Sequence, residues 1–139
     1  MKKTNTEIEE SKEKVGLKQL IQKKLEKDGK RTATKEIYVK SLDGNLTVNN
    51  PTDTQKIEFL DKRKANNYVD MMDGYAKLIY DCCPILHSRE LQEEIGVSYP
   101  YDTVNAIFDI DEIADIGVKV LNFFDDEEED EADENLKNW

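Results

Sequence analysis

The run NPTDTQKIEFLDKRKANNYVDMMDGYAKLIYDCCP, residues 50–84, decides the fold. Proline is tolerated in the first turn of a helix, and Thr52 with Gln55 has the spacing of a capping box, so a helix opens here. Beyond it Ile57, Leu60, Tyr68, Met72, Tyr75 and Ile79, with Val69, Ala76 and Cys83 beside them, keep a helical spacing almost to Pro84. Pro84 has no amide hydrogen to give and ends or kinks the helix. Asn66-Asn67 and Gly74 are the two places where the long stretch could divide.

Towards the C-terminus, Ser88 can cap a short helix through Leu91 and Ile95 that closes at Gly96. Tyr99-Pro100-Tyr101 reads as an extended connecting loop, because the residue before proline avoids the helical region. Asp102 or Thr103 then starts a turn carrying Val104, Ile107 and Phe108, and Asp109 with Glu112 repeats the capping-box spacing ahead of a last helix. Its apolar stripe is Ile110, Ile113, Ala114, Gly117, Val120, Leu121 and Phe124, the face expected to complete the core. Asp125 to Glu134 holds nine acids in ten residues, whose mutual repulsion predicts an extended, solvated tail.

Towards the N-terminus, the period between Lys35 and Val48 falls to two, with Ile37, Val39, Leu46 and Val48 flanking Asp43-Gly44, a pair that favours the positive φ angles of hairpin turns. One β-hairpin is expected over 35–48. From Gly16 to Asp28, Leu17, Leu20, Ile21 and Leu25 recur at helical spacing among lysines, and Gly29 can cap the end. This is a short basic amphipathic helix. It reads either as a helix laid on the core or as a docking helix for an acidic partner or a membrane surface. Residues 1–15 hold too few apolar side chains to offset the entropy of ordering. The expected architecture is therefore mainly α with one small β-hairpin: a flexible segment 1–15, one mostly helical domain over 16–124, and a disordered acidic tail over 125–139.

Charged residues make up 37% of the chain against about 25% in an average domain, so much of it must face water. The net charge of −11 is uneven, +5 over residues 1–40 and −16 over residues 41–139. A field of that sign repels a phosphate backbone, which makes nucleic acid an improbable partner. Base readout would call for arginines, and Arg31 is the only one near the basic helix. No stretch approaches the ~18 apolar residues of a membrane span, and Lys2-Lys3 is followed by polar residues instead of a signal-peptide core. The expectation is a soluble protein retained where it is made, with no membrane partner. Cys82 and Cys83 are adjacent and lack a third cysteine, which fits a reducing cytoplasm.

Chemistry is sparse. The single histidine, His87, lies four residues beyond Cys83 in an expected turn, and reads as a surface histidine in preference to half of a thiol catalytic pair. The cysteines read as small side chains at a helix end, one facing inward and one at the boundary. Asp81, Cys82, Cys83 and His87 project too divergently to converge on one metal ion. Asp109 to Gly117 has acids at alternate positions, but Ala114 stands where a calcium loop needs glycine and Val120 where it needs a bidentate glutamate. No phosphate loop, nucleophile elbow or zinc-protease helix is present. The expectation is a protein without catalytic residues, metal or cofactor.

Residues 36–124 resemble the XkdN-like tail assembly chaperones of phages and phage-derived contractile tails, over about two thirds of the chain. The likeness lies in Glu36-Ile37-Tyr38-Val39-Lys40, the helix Ile57 to Lys64, the segment Tyr80-Asp81-Cys82 to Leu91, Val104-Asn105-Ala106-Ile107-Phe108, and Ile113 to Leu121. The resemblance implies a binding function. Such proteins associate with the tape measure protein, keep that long hydrophobic helical polypeptide soluble, help recruit tail tube protein, and leave before the particle matures. The implied location is the cytoplasm of the bacterial host. The family has no site residues to carry over, so the contact candidates come from the residues themselves: Leu17, Leu20, Ile21 and Leu25 on the basic helix, and Tyr99 and Tyr101 in the connector. Self-association into a homo-oligomer stays open. The alternative is an acidic inhibitor or nucleic-acid mimic in a basic groove of a host protein, which would need its carboxylates fixed on the folded body, whereas nine of the 31 acids lie in the tail.

Overall fold

The computed structural model describes residues 14–125; the expected flexible residues 1–13 and the acidic tail from 126 onward lie outside them. Contacts divide the chain into two units, residues 1–30 and residues 31–139, and the division falls inside the span 16–124 expected as one domain. Among the described residues there are six α-helices and one two-stranded antiparallel hairpin, so the protein is mainly α with a small β element.

Helix α1 spans Leu17–Arg31. Its start is tied by a hydrogen bond from the Gly16 amide to Gln19 Oε1 (2.8 Å). It runs past Gly29, the expected cap, because nothing crowds that residue and its φ is not positive. A glycine caps a helix only where the chain turns left-handed.

In the larger unit the hairpin pairs β1 (Thr34–Val39) with β2 (Gly44–Asn49), in a register from Thr34 opposite Asn49 to Val39 opposite Gly44. Alternation sends Ile37, Val39, Leu46 and Val48 into the core, as their period of two requires. The turn is longer than the two-residue one that Asp43-Gly44 suggests. Gly44 already belongs to β2, and a 3-10 turn over Lys40–Leu42 leads into Asp43, which alone takes the left-handed conformation (φ 46°). The Tyr38 hydroxyl donates to Asp43 Oδ1 (2.8 Å), which ties the turn to its strand and raises the tyrosine pKa.

Both halves of the expected capping box are present at the start of α2 (Asp53–Lys64): Thr52 accepts from the Gln55 amide, and the Gln55 side chain accepts from the Thr52 amide. The long stretch divides at Asn66, whose φ of 57° is tolerated by asparagine and breaks the helix. Asn67 then caps α3 (Tyr68–Cys82) by accepting from the Asp70 amide (2.8 Å). Gly74 does not divide α3. It is buried against α2, where a Cβ would come within 3.2 Å of the Phe59 ring.

After Pro84 opens a 3-10 turn, α4 (Arg89–Glu94) starts at Ser88 as expected, and Gly96 (φ 75°) closes the segment. Tyr99 is extended, but Pro100–Asp102 forms a 3-10 turn and not an extended loop, held by Thr103 Oγ1 donating to the Pro100 carbonyl (2.6 Å). Helices α5 (Thr103–Ile107) and α6 (Ile110–Leu121) follow, the latter with the Asp109–Glu112 capping box complete. Lys35 at the start of β1 donates to the Lys119 carbonyl (3.2 Å), while Ser41 beyond its end bonds Glu112, so α6 runs antiparallel to β1.

Helix α3 is the centre of this unit, packing on α2 and α6 and contributing Ala76, Leu78, Ile79 and Cys82 to the core. The expected stripe is corrected over its N-terminal part, while Ala76, Ile79 and Cys83 are buried as expected. Ile57, Leu60, Tyr68 and Val69 are exposed, and Phe59 is the buried residue of α2. Its ring lies 4.8 Å from that of Tyr75, which turns Ile57 and Leu60 away. In α6, Ile110 is exposed and Ile116 is buried; just beyond the helix, Phe123 and not Phe124 enters the core. Close approach of Gly117 to Tyr75 sets that rotation.

Candidate functional site

On α1, the four aliphatic candidates Leu17, Leu20, Ile21 and Leu25 lie within an arc of about 140° at 100° per residue. None of them is buried: they stand 76%, 59%, 53% and 57% exposed. Lys23, Lys27 and Lys30 occupy other directions around the helix, while the Lys24–Asp28 ion pair falls inside the aliphatic arc, so this is an amphipathic element whose exposed apolar face is crossed by one charge pair.

In the larger unit, Tyr99 and Tyr101 are brought together, with ring centroids 5.9 Å apart. Tyr101 is anchored from below. Its hydroxyl donates to Asp81 Oδ1 (3.0 Å), its ring lies 4.8 Å from Tyr80, and Lys77 Nζ sits 5.3 Å from its centroid. The Lys77 ammonium donates to Glu58 Oε2 (2.6 Å) on α2 and to Asp81 Oδ2 (2.8 Å) one turn along α3. Burial alone would lower the Lys77 pKa, but hydrogen bonds to Asp81 and Glu58 outweigh it and hold the ammonium above its ordinary range. The Asp81 carboxylate, accepting from the phenol, raises the pKa of Tyr101.

The two tyrosines border a surface cleft of about 340 Å³. Helix α3 supplies Asp73, Ala76 and Lys77, α2 supplies Lys62, and the 3-10 turn and α5 supply Asp102 and Asn105. The tyrosine dipeptide flanking Pro100 was the sequence signal for this place. The walls on α2 and α3 come from positions more than twenty residues away, which no local spacing reveals. The aliphatic candidates of α1 belong to the other unit.

The thiols are placed differently. Cys82 and Cys83 are both buried, which corrects the expectation that one lies at the boundary. Cys82 is drawn inward beside Gln55, its Sγ 3.5 Å from Gln55 Oε1, and Cys83 caps α3 with its side chain inside the core. Burial pushes the Cys82 thiol up to about 12 and raises that of Cys83. A thiol becomes a nucleophile only as the thiolate, so neither cysteine should react with a thiol-specific disulfide reagent at pH 8 until denaturant is added. Rapid labelling of either one in the native protein would refute this placement. His87 is exposed, its Nε2 2.6 Å from the Tyr80 carbonyl and its ring 4.4 Å from that of Tyr80.

No known family, characterised protein or solved structure matches the chain.

Among the described residues, no three His, Cys, Asp or Glu side chains gather as metal ligands would, and no helix is long and apolar enough to cross a membrane. What the two surfaces offer is contact: an open aliphatic face on a basic helix, and an aromatic cleft with charged walls.

Proposed function

We propose that this chain is a tail assembly chaperone that binds the tape measure protein, keeps it soluble and helps recruit tail tube protein, without catalysis. The observation that carries the reading is the apolar face of α1, four aliphatic side chains that remain more than half exposed. The resemblance over residues 36–124 supplies the identity of the client. A long helical client would aggregate through its own apolar stripes, and an amphipathic helix covers such stripes by packing along them.

Acidic charge keeps the complex in solution, with the nine acids between Asp125 and Glu134 acting as a repulsive brush between neighbouring complexes. Release needs no nucleotide if incoming tube protein competes for the same client surface, because displacement follows from mass action. The site of action is the host cytoplasm, and the chaperone is absent from the finished particle.

The test is co-expression of the full chain with a tape measure fragment. The expected result is a soluble complex that co-purifies through size-exclusion chromatography, where the fragment alone is recovered in the pellet. A fragment that stays insoluble in the presence of the chain would overturn the reading.

A further inference from the structure

We propose that the cleft beside Tyr99 and Tyr101 is a socket for an arginine side chain presented by a partner polypeptide. This goes beyond the chaperone reading and does not depend on it, since it concerns the other unit and makes no use of α1.

Charge is the first argument. Glu58, Asp73, Asp81 and Asp102 stand in or beneath the cleft against Lys62 and Lys77, an excess of two negative charges. Glu58 and Asp81 are both committed to Lys77, at 2.6 and 2.8 Å. Among the described residues Asp73 and Asp102 form no ion pair; against Lys62 they leave one unmatched negative charge on the open walls, and the Glu58–Lys77–Asp81 group leaves the other. Lys77 is already matched by two carboxylates, which disfavours an anionic ligand there.

Shape and chemistry supply the second argument. A guanidinium is planar and weakly hydrated, stacks on aromatic faces and directs paired donors at carboxylates. Tyr99 is 60% exposed, so its ring is available for stacking. The far side of the assembly is rigid, because Tyr101 is held by Asp81 and by the Tyr80 ring, and the turn carrying both tyrosines is pinned by Thr103. A socket whose walls are already in place loses little entropy when it fills. At about 340 Å³ the cleft lies at the bottom of the range of small-molecule sites, which suits one long side chain better than a cofactor. The Asn105 side-chain amide, also on the wall, adds a neutral group that can accept one further guanidinium donor.

The experiment is an NMR titration of the isotope-labelled full chain with a short helical peptide neutral but for one arginine, beside the same peptide with citrulline, the uncharged isostere. Saturable shifts are expected at Asp73, Ala76, Asn105 and the turn 99–102, with citrulline binding about tenfold weaker. The double variant Asp73→Asn/Asp102→Asn should weaken arginine binding by about tenfold while leaving the circular dichroism spectrum unchanged, since both side chains are exposed. Tyr99→Ser should weaken it by about threefold. Equal binding of both peptides would overturn the socket. So would shifts spread over the acidic surface that ignore the Asp73 and Asp102 substitutions, the signature of general electrostatic attraction. Either failure leaves the co-expression result unaffected.

Discussion

Replacing Gly117 with alanine is expected to lower the unfolding free energy by about 2–3 kcal/mol, even though alanine is the better helix former by about 1 kcal/mol. An added Cβ would lie 2.8 Å from Tyr75 Cγ and 2.9 Å from Tyr75 Cβ. Those atoms are the root of the tyrosine side chain, so rotating the ring about its outer bond brings no relief, and α6 must back away from α3. That packing joins the two helices that contribute most of the helical core, through Ile113, Ile116 and Val120 on one side and Leu78 and Ile79 on the other. Small domains carry only about 5–15 kcal/mol of net stability, so a loss of this size should move the urea midpoint clearly. Gly29→Ala is the control. No atom lies within 4 Å of its added Cβ, so the midpoint for the unit containing α3 and α6 should not fall. A Gly117→Ala midpoint equal to that of the parent would show that α6 does not approach Tyr75 as described. The double variant with Tyr75→Ala should lose less than the sum of the single changes, because the clash disappears with the ring.

The signals that were legible in the sequence were those that act within a turn or two. Thr52 and Gln55, Ser88, and Asp109 with Glu112 each make the cap that their spacing announces, since a cap depends only on residues three apart. The hairpin was equally legible, because alternation at Ile37, Val39, Leu46 and Val48 needs only the local pleat. What was not legible is rotation about a helix axis. Periodicity marks Ile57 and Leu60 as a stripe, yet α2 buries Phe59, because the partner that decides the matter is Gly74, fifteen positions away and without a side chain to signal contact. The same holds for α6, where Gly117 and Tyr75 set the rotation and exclude Ile110 from the core. The cleft is a stronger case. Tyr99 and Tyr101 were visible as a pair, whereas Lys62, Asp73 and Lys77 join them only through the packing of α2 and α3 against the turn. Asp81 and Lys77 look like an ordinary helix-surface pair in the sequence and become the anchor of Tyr101 in the fold.

The second large effect is expected on α1. The double substitution Leu20→Glu/Ile21→Glu should abolish client solubilisation and leave the fold intact. Leu20 and Ile21 are consecutive in the sequence, flank Leu17 on the aliphatic arc and are 59% and 53% exposed, so their replacement opens no cavity in the core. Glutamate has nearly the helix propensity of leucine, which keeps α1 formed. Covering the exposed part of each side chain is worth about 1 kcal/mol at ~25 cal/mol per Å², and forcing a carboxylate into that contact costs more again. The combined loss should exceed about 2 kcal/mol, more than thirtyfold in dissociation constant, measurable by titrating a soluble client fragment. Two controls separate packing from charge. Leu20→Met/Ile21→Leu preserves volume and apolarity and should bind within a factor of a few of the parent. Lys23→Gln/Lys27→Gln removes two positive charges from outside the stripe and should shift affinity mainly at low salt. If the glutamate pair still holds the client in solution, the aliphatic face is not the contact. If the lysine pair alone abolishes binding at physiological salt, the client is recognised through its acidity and the packing argument fails.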